Sequence, residues 1–158
     1  MVVVKLRVLA IGPKMPAWVD EAVVEYTKRM PRDLPIEFVP LPLGARGKNA
    51  DIDRAIAREG DAMLAALRPN ERVVALDLSG KAWSTPDLAR QLTQWRLDSQ
   101  DVSLLIGGPD GLDPRCLARA DQRWCLSNLT LPHPLVRVLL AEQLYRAWTI
   151  TQHHPYHK

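Results

Sequence analysis

An α/β fold, a mostly parallel sheet covered by helices on both faces, is what this sequence predicts. Two observations carry the prediction. Apolar, β-branched runs alternate with helical patterns along the whole chain, the order expected of successive βα units. The strand cores Val73-Val-Ala-Leu76 and Leu104-Leu-Ile106 are continuously apolar rather than alternating, as strands buried on both faces are. With 158 residues, 47% hydrophobic and 25% charged, the chain is expected to form one domain over residues 1–158, with a real core.

The elements follow in order. A first strand is placed over residues 2–11. Its opening run has charges inside it and lacks a signal peptide's layout. No apolar stretch approaches the ~20 residues of a membrane helix, so a cytoplasmic protein with no membrane contact is expected. A helix over 17–30 ends in Lys28, Arg29 and Arg32, which either complement its C-terminal dipole or begin a positive face. A strand over 36–43 leads into Gly44-Ala-Arg-Gly-Lys-Asn49. That basic loop is either a solvated surface loop or an RNA-backbone contact through Arg46 and Lys48.

A helix over 51–67 and a strand over 72–78 come next. Thr85-Pro86 then places a capping hydroxyl before a helix over 86–97, and Asp113-Pro114 repeats the device before one over 114–120. Between them a strand over 102–106 stops on Gly107-Gly-Pro-Asp-Gly111. A short strand over 123–126 enters the loop Ser127–Pro134, and a helix over 135–151 closes the chain before a tail rich in His, Tyr and Lys. In parallel sheets, ligands bind outside the carboxyl ends of the strands. Three loops are expected there, residues 77–80, 107–111 and 127–134, converging on one pocket.

The glycine loop is neither a dinucleotide fingerprint nor a phosphate loop; it is a plain turn or a close approach of bare backbone to a ligand. Cys116 and Cys125 lack a disulfide or zinc pattern. His133, His153, His154 and His157 lack companion ligands at useful spacing, so no metal is expected. The tail instead offers stacking faces and donors suited to unstacked RNA bases. The last helix is apolar almost all round, which points to a subunit interface as well as a core, and Glu142 and Arg146 are spaced to pair. No nucleophile elbow or triad emerges. A net charge of +3 permits nucleic acid without demanding it.

Taken together, Leu104-Leu-Ile-Gly-Gly-Pro-Asp-Gly-Leu112, Leu129-Thr-Leu-Pro-His-Pro-Leu-Val-Arg137, Glu142-Gln-Leu-Tyr-Arg-Ala-Trp148 and His154-Pro-Tyr-His157 resemble the RlmH family. These are SPOUT-class methyltransferases acting on N3 of a pseudouridine in 23S ribosomal RNA. Gly12-Pro-Lys-Met-Pro16 and Arg46-Gly-Lys-Asn-Ala-Asp51 match as well, so the likeness spans nearly the whole chain; Asp110 stands where many relatives have Glu. The resemblance implies a C-terminal trefoil knot over roughly residues 72–158, a homodimer, and S-adenosylmethionine as methyl donor. It implies cofactor contacts from Leu76, Gly107, Gly108, Ser127, Asn128, Leu129, Thr130, Leu131 and Pro132. Arg146, His154, Tyr156 and His157 become candidates for orienting the target base. Two alternatives stay open: a knotted methyltransferase for another RNA such as tRNA, and a non-catalytic ribosome-binding factor.

Overall fold

A computed structural model describes residues 2–48 and 51–158. Its elements are β1 (Leu6–Ile11), α1 (Ala17–Thr27), β2 (Ile36–Leu41), α2 (Ile52–Ala66), β3 (Arg72–Ala82), α3 (Thr85–Leu97), β4 (Val102–Ile106), α4 (Pro114–Arg119), β5 (Gln122–Cys125) and α5 (His133–Thr151). A short 3₁₀ turn, Pro155–His157, ends the chain. The five strands lie in the order β2-β1-β4-β3-β5 and every pairing is parallel, as the sequence predicts.

The two faces are divided cleanly. Val8, Val74, Leu104 and Ile106 point to one side, against Leu92 and Trp95 of α3 and Leu140 and Leu144 of α5. Leu9, Ile11, Val73, Ala75 and Leu105 point to the other, against Met63 of α2 and Cys116 of α4. Helix α1 joins the first side, seating Val19 and Val23 against Ala141 of α5. All five residues of β4 are buried, which explains why its run is continuously apolar.

Several boundaries differ from expectation for local reasons. The first strand begins at Leu6 rather than residue 2, because its neighbours start only at Ile36 and Val102; Val2 and Val3 are exposed. Pro40 lies within β2, which is an edge strand where a missing N–H is tolerated. The hydroxyl capping α3 is that of Ser84, which accepts from Asp87 N–H while the Asp87 carboxylate accepts from Ser84 N–H. Thr85 instead donates to Gln143 Oε1 of α5 at 2.7 Å. Asp113 caps α4 as predicted, accepting from Arg115 N–H.

The largest departure is in β3. Residues 77–80, expected as a free loop, form an excursion inside the strand: Leu76 and Lys81 both pair with Trp124 of β5. A Cβ on Gly80 would sit 2.5 Å from the Arg123 and Trp124 backbone, so only glycine lets the returning chain come this close.

Candidate active site

The carboxyl ends of the strands surround a cavity of about 620 Å³, within the range that holds a cofactor-sized ligand. Strand β1 supplies Ile11 and Gly12, β3 supplies Leu76 with Asp77 and Leu78 of its excursion, and β4 supplies Ile106 and the glycine loop. The chain after β5 contributes Leu126, Ser127, Leu129, Thr130 and Leu131, and α5 contributes His133 and Val136. Of the residues expected at a cofactor, Leu76, Gly107, Gly108, Ser127, Leu129, Thr130 and Leu131 line this cavity. Asn128 and Pro132 are exposed and lie off its wall; Pro132 serves as the N-cap residue of α5.

The wall is shaped by backbone. A Cβ on Gly107 would lie 2.7 Å from the Gly111 carbonyl carbon, and Gly111 has φ +87°. Gly111 N–H donates to the Gly108 carbonyl at 3.0 Å. The loop is therefore a tight, glycine-dependent turn that also forms a cavity wall. Ser127 shapes its own loop: its hydroxyl accepts from Leu129 N–H at 2.9 Å, and the Cys125 thiol donates to its carbonyl at 3.2 Å. Leu78 and Leu129 are 76% and 72% exposed at the rim, apolar surface that a ligand would cover.

His133 was not among the predicted site residues, yet its ring sits between the cavity and Arg137. Arg137 Nε donates to His133 Nε2 at 2.8 Å. Burial and the neighbouring guanidinium push the His133 pKa below 6.5, against a hydrogen bond to the Gly107 backbone that favours the charged form. The imidazole is thus held neutral with Nε2 as acceptor. Its i,i+4 spacing to Arg137 is visible in the sequence but does not by itself single the pair out.

Arg46 lies deeper than a surface phosphate contact would. It pairs with Glu59 at 2.9 Å and Asp110 at 2.8 Å, and Glu59 also accepts from Gly44 N–H at 2.9 Å. A Cβ on Gly44 would meet the Ala55 carbonyl at 2.5 Å. Gly44 therefore lets the loop pack on α2, and Arg46 ties it to the glycine loop through Asp110. Lys48 is exposed, and Asn49 and Ala50 of the same motif lie outside the described residues.

The tail residues gather elsewhere. Glu142 and Arg146 pair at 3.0 Å, as their spacing predicts. Tyr156 O–H donates to Glu142 Oε2 at 2.9 Å, and the Arg146 guanidinium lies 4.9 Å over the Tyr156 ring. Burial and the Glu142 carboxylate push the Tyr156 pKa up to about 12, so its hydroxyl is a donor rather than a base. His154 accepts from Tyr156 N–H, and His157 Nδ1 lies 3.5 Å from the Thr149 hydroxyl. His133 and Arg146 stand thirteen positions apart along α5, roughly 20 Å at about 1.5 Å per residue. Within one chain, the tail cluster and the cavity are not one site. Among the described residues no group of His, Cys, Asp and Glu could hold a metal, and no helix is long and apolar enough to cross a membrane.

Residues 4–157 match the family model described as "Predicted SPOUT methyltransferase". Three similar proteins, from Chromohalobacter salexigens, Marinomonas sp. (strain MWYL1) and Ectopseudomonas mendocina, are 63%, 58% and 56% identical. Each alignment covers 98% of this chain and 99% of the relative, and each relative is named "Ribosomal RNA large subunit methyltransferase H".

Proposed function

The chain belongs to the SPOUT methyltransferase family, and from that premise we propose that it transfers a methyl group from S-adenosylmethionine to N3 of a pseudouridine in 23S ribosomal RNA. The observation that supports this most is the cavity at the strand carboxyl ends, walled by the glycine loop and the chain after β5. A protein that merely coats RNA has no need of such a pocket. The relatives' shared name, an rRNA large subunit methyltransferase, supports the choice of RNA.

The cavity suits the donor. Its walls are mainly apolar side chains, including Leu76, Leu129 and Leu131, with bare backbone at Gly107 and Gly108; such walls cover an adenine face and hydrogen-bond its edges. When bound, the donor supplies an activated methyl group on a sulfonium. The protein's part is to align acceptor and methyl in line and exclude water. N3 of pseudouridine is a weakly acidic imide whose proton must leave before or during attack. The Arg146 cation is suited to donate to the anion that develops on the base, and Tyr156, whose single O–H is held by Glu142, to orient that base with its ring. His154 and His157 extend the same surface toward the nucleotide, while exposed Lys48 is the RNA contact of the basic loop that Arg46 holds in place.

Because cavity and tail lie roughly 20 Å apart along α5, we assign the complete site to a homodimer, in which one subunit's tail faces its partner's cavity. Exposed Leu135 and Leu139, one turn apart on α5, lead toward Glu142 and Arg146 and suit that interface. The trefoil knot belongs to the same proposal. Strand β5 sits beside β3 while α5 returns to pack against α1 and α3, which brings the chain after β5 alongside the glycine loop. A cytoplasmic protein working on assembled ribosomes fits a modest net charge of +3, since a shaped target needs less steering than naked RNA. A methyl-transfer assay comparing assembled ribosomes with free 23S RNA and tRNA tests this. Methylation of tRNA alone, or of nothing, overturns it.

A further inference from the structure

Helix α2 opens with charges that work against its own stability. Arg54 stands in its first turn, where the helix dipole disfavours a cation. Arg58 follows four positions later, a like-charged neighbour on the same face. Both are exposed. Two arginines that reach the same turns are tied to carboxylates, Arg46 to Glu59 and Asp110, Arg115 to Asp61 and Asp113, whereas Arg54, Arg58 and Lys48 form no ion pair among the described residues. The carboxylates nearest in sequence are otherwise placed. Asp51 caps the helix, accepting from Arg54 N–H at 3.2 Å, and Asp53 lies about 100° round the helix from Arg54.

The pair is held in register with the cavity. Leu43 lines the cavity, and the loop that follows rests on α2 through Gly44, which abuts the Ala55 backbone and donates its N–H to Glu59. Arg54 and Arg58 come one position before Ala55 and Glu59, the buried residues under that loop. All three exposed cations therefore belong to the junction of loop and helix, and Arg46 fastens that junction to the glycine loop through Asp110. Helix α2 also packs on the sheet face opposite α5, so a dimer formed through α5 leaves the junction open. We propose that Arg54 and Arg58, continued by Lys48, are a phosphate track for the ribosomal RNA flanking the target nucleotide, on the subunit whose cavity takes the donor. The inference rests on the RNA-methyltransferase reading above. An RNA backbone supplies the anions that the fold withholds from these side chains, and the track fixes the strand's path without reading its sequence.

Steady-state methylation of ribosomes unmodified at the target, measured over a salt series, tests the track. Arg54→Gln/Arg58→Gln should raise KM for ribosomes at least about tenfold and make its salt dependence shallower by about 1.5 in the log–log slope, the share of two phosphates. The kcat and the calorimetric affinity for S-adenosylmethionine should stay within about twofold. Arg54→Lys/Arg58→Lys should restore KM, because a phosphate contact needs the charge more than the fork. The Tm of the free Gln variant should equal or exceed that of wild type, since two unfavourable charges are gone; a lower Tm makes the arginines structural and overturns the track. An unchanged KM and slope overturns it too, as does an equal loss in the charge-matched variant Lys5→Gln/Arg90→Gln, whose sites lie on other elements. Wild-type protein that methylates ribosomes while the Gln variant matches it sinks the track alone. Wild-type protein that methylates no ribosomal RNA sinks the proposed function and the track together.

Discussion

At the scale of single residues, the cavity depends on side chains that are missing. A Cβ on Gly108 would lie 3.0 Å from Glu59 Oε1 and 3.2 Å from Ile11 Cγ2. Gly108→Val should therefore disturb both the carboxylate that anchors Arg46 and a cavity wall, and lower S-adenosylmethionine affinity by tenfold or more, about 1.4 kcal/mol. Gly47→Ala is the control, because nothing lies within 4 Å of a Cβ there. Calorimetric affinity unchanged in Gly108→Val would remove the glycine loop from the binding site. His133 makes a pH prediction. Its folded pKa lies below 6.5, so beneath that pH the unfolded chain binds the extra proton first, and the stability contributed by the neutral ring is lost as pH falls toward the folded value. His133→Gln should flatten the decline of Tm on acidification below pH 6.5. At this scale the sequence was only partly legible. Gly107 and Gly108 announced themselves because glycine pairs after an apolar run have few uses. His133 and Arg137 did not, since an i,i+4 polar pair in an apolar helix has no signature until the neighbouring loops are in place.

At the scale of elements, α5 joins the cavity to the tail, and under the proposed function it would carry both ends of the chemistry. Its first turn closes the cavity through His133 and Val136, and its last turns hold the tail through Glu142, Arg146 and Thr149. Removing residues 153–158 should abolish methylation while leaving cofactor affinity within about twofold, since none of them lines the cavity. Full methylation by the truncated protein would strip the tail of its assigned role. The existence and type of α5 were legible because an apolar, proline-started run long enough for several turns has one sensible conformation. The excursion in β3 was not. Its glycine and Asx-type turn, with Asp77 accepting from Ser79 N–H at 3.1 Å, look like a loop in sequence, and only the pairing of Lys81 back onto Trp124 makes them part of a strand.

At the scale of the molecule, alternating elements and continuously apolar strands sufficed for a parallel α/β sheet, because periodicity is local. The strand order was out of reach, since the placement of β4 beside β1 is set by packing between residues nearly a hundred apart, such as Leu6 and Val102. The proposed homodimer is also a property of the whole. Leu139→Glu on the exposed face of α5 should convert a dimer to a monomer in sedimentation equilibrium and lose methylation while retaining cofactor affinity. A dimer surviving that change would place the interface elsewhere. The strand order has a temporal consequence. Sheet order β2-β1-β4-β3-β5 leaves β1 and β2 as a lone pair until residues 102–106 arrive, and the cavity lacks a wall until β5 and α5 dock. Such long-range closure slows folding, and the ligand pocket is among the last features to exist. The methyl donor should then act as a late folding ligand, raising stability by about 2.7 kcal/mol at a hundred times its Kd. The cellular supply of donor would thereby help to set how much of the protein survives its own synthesis.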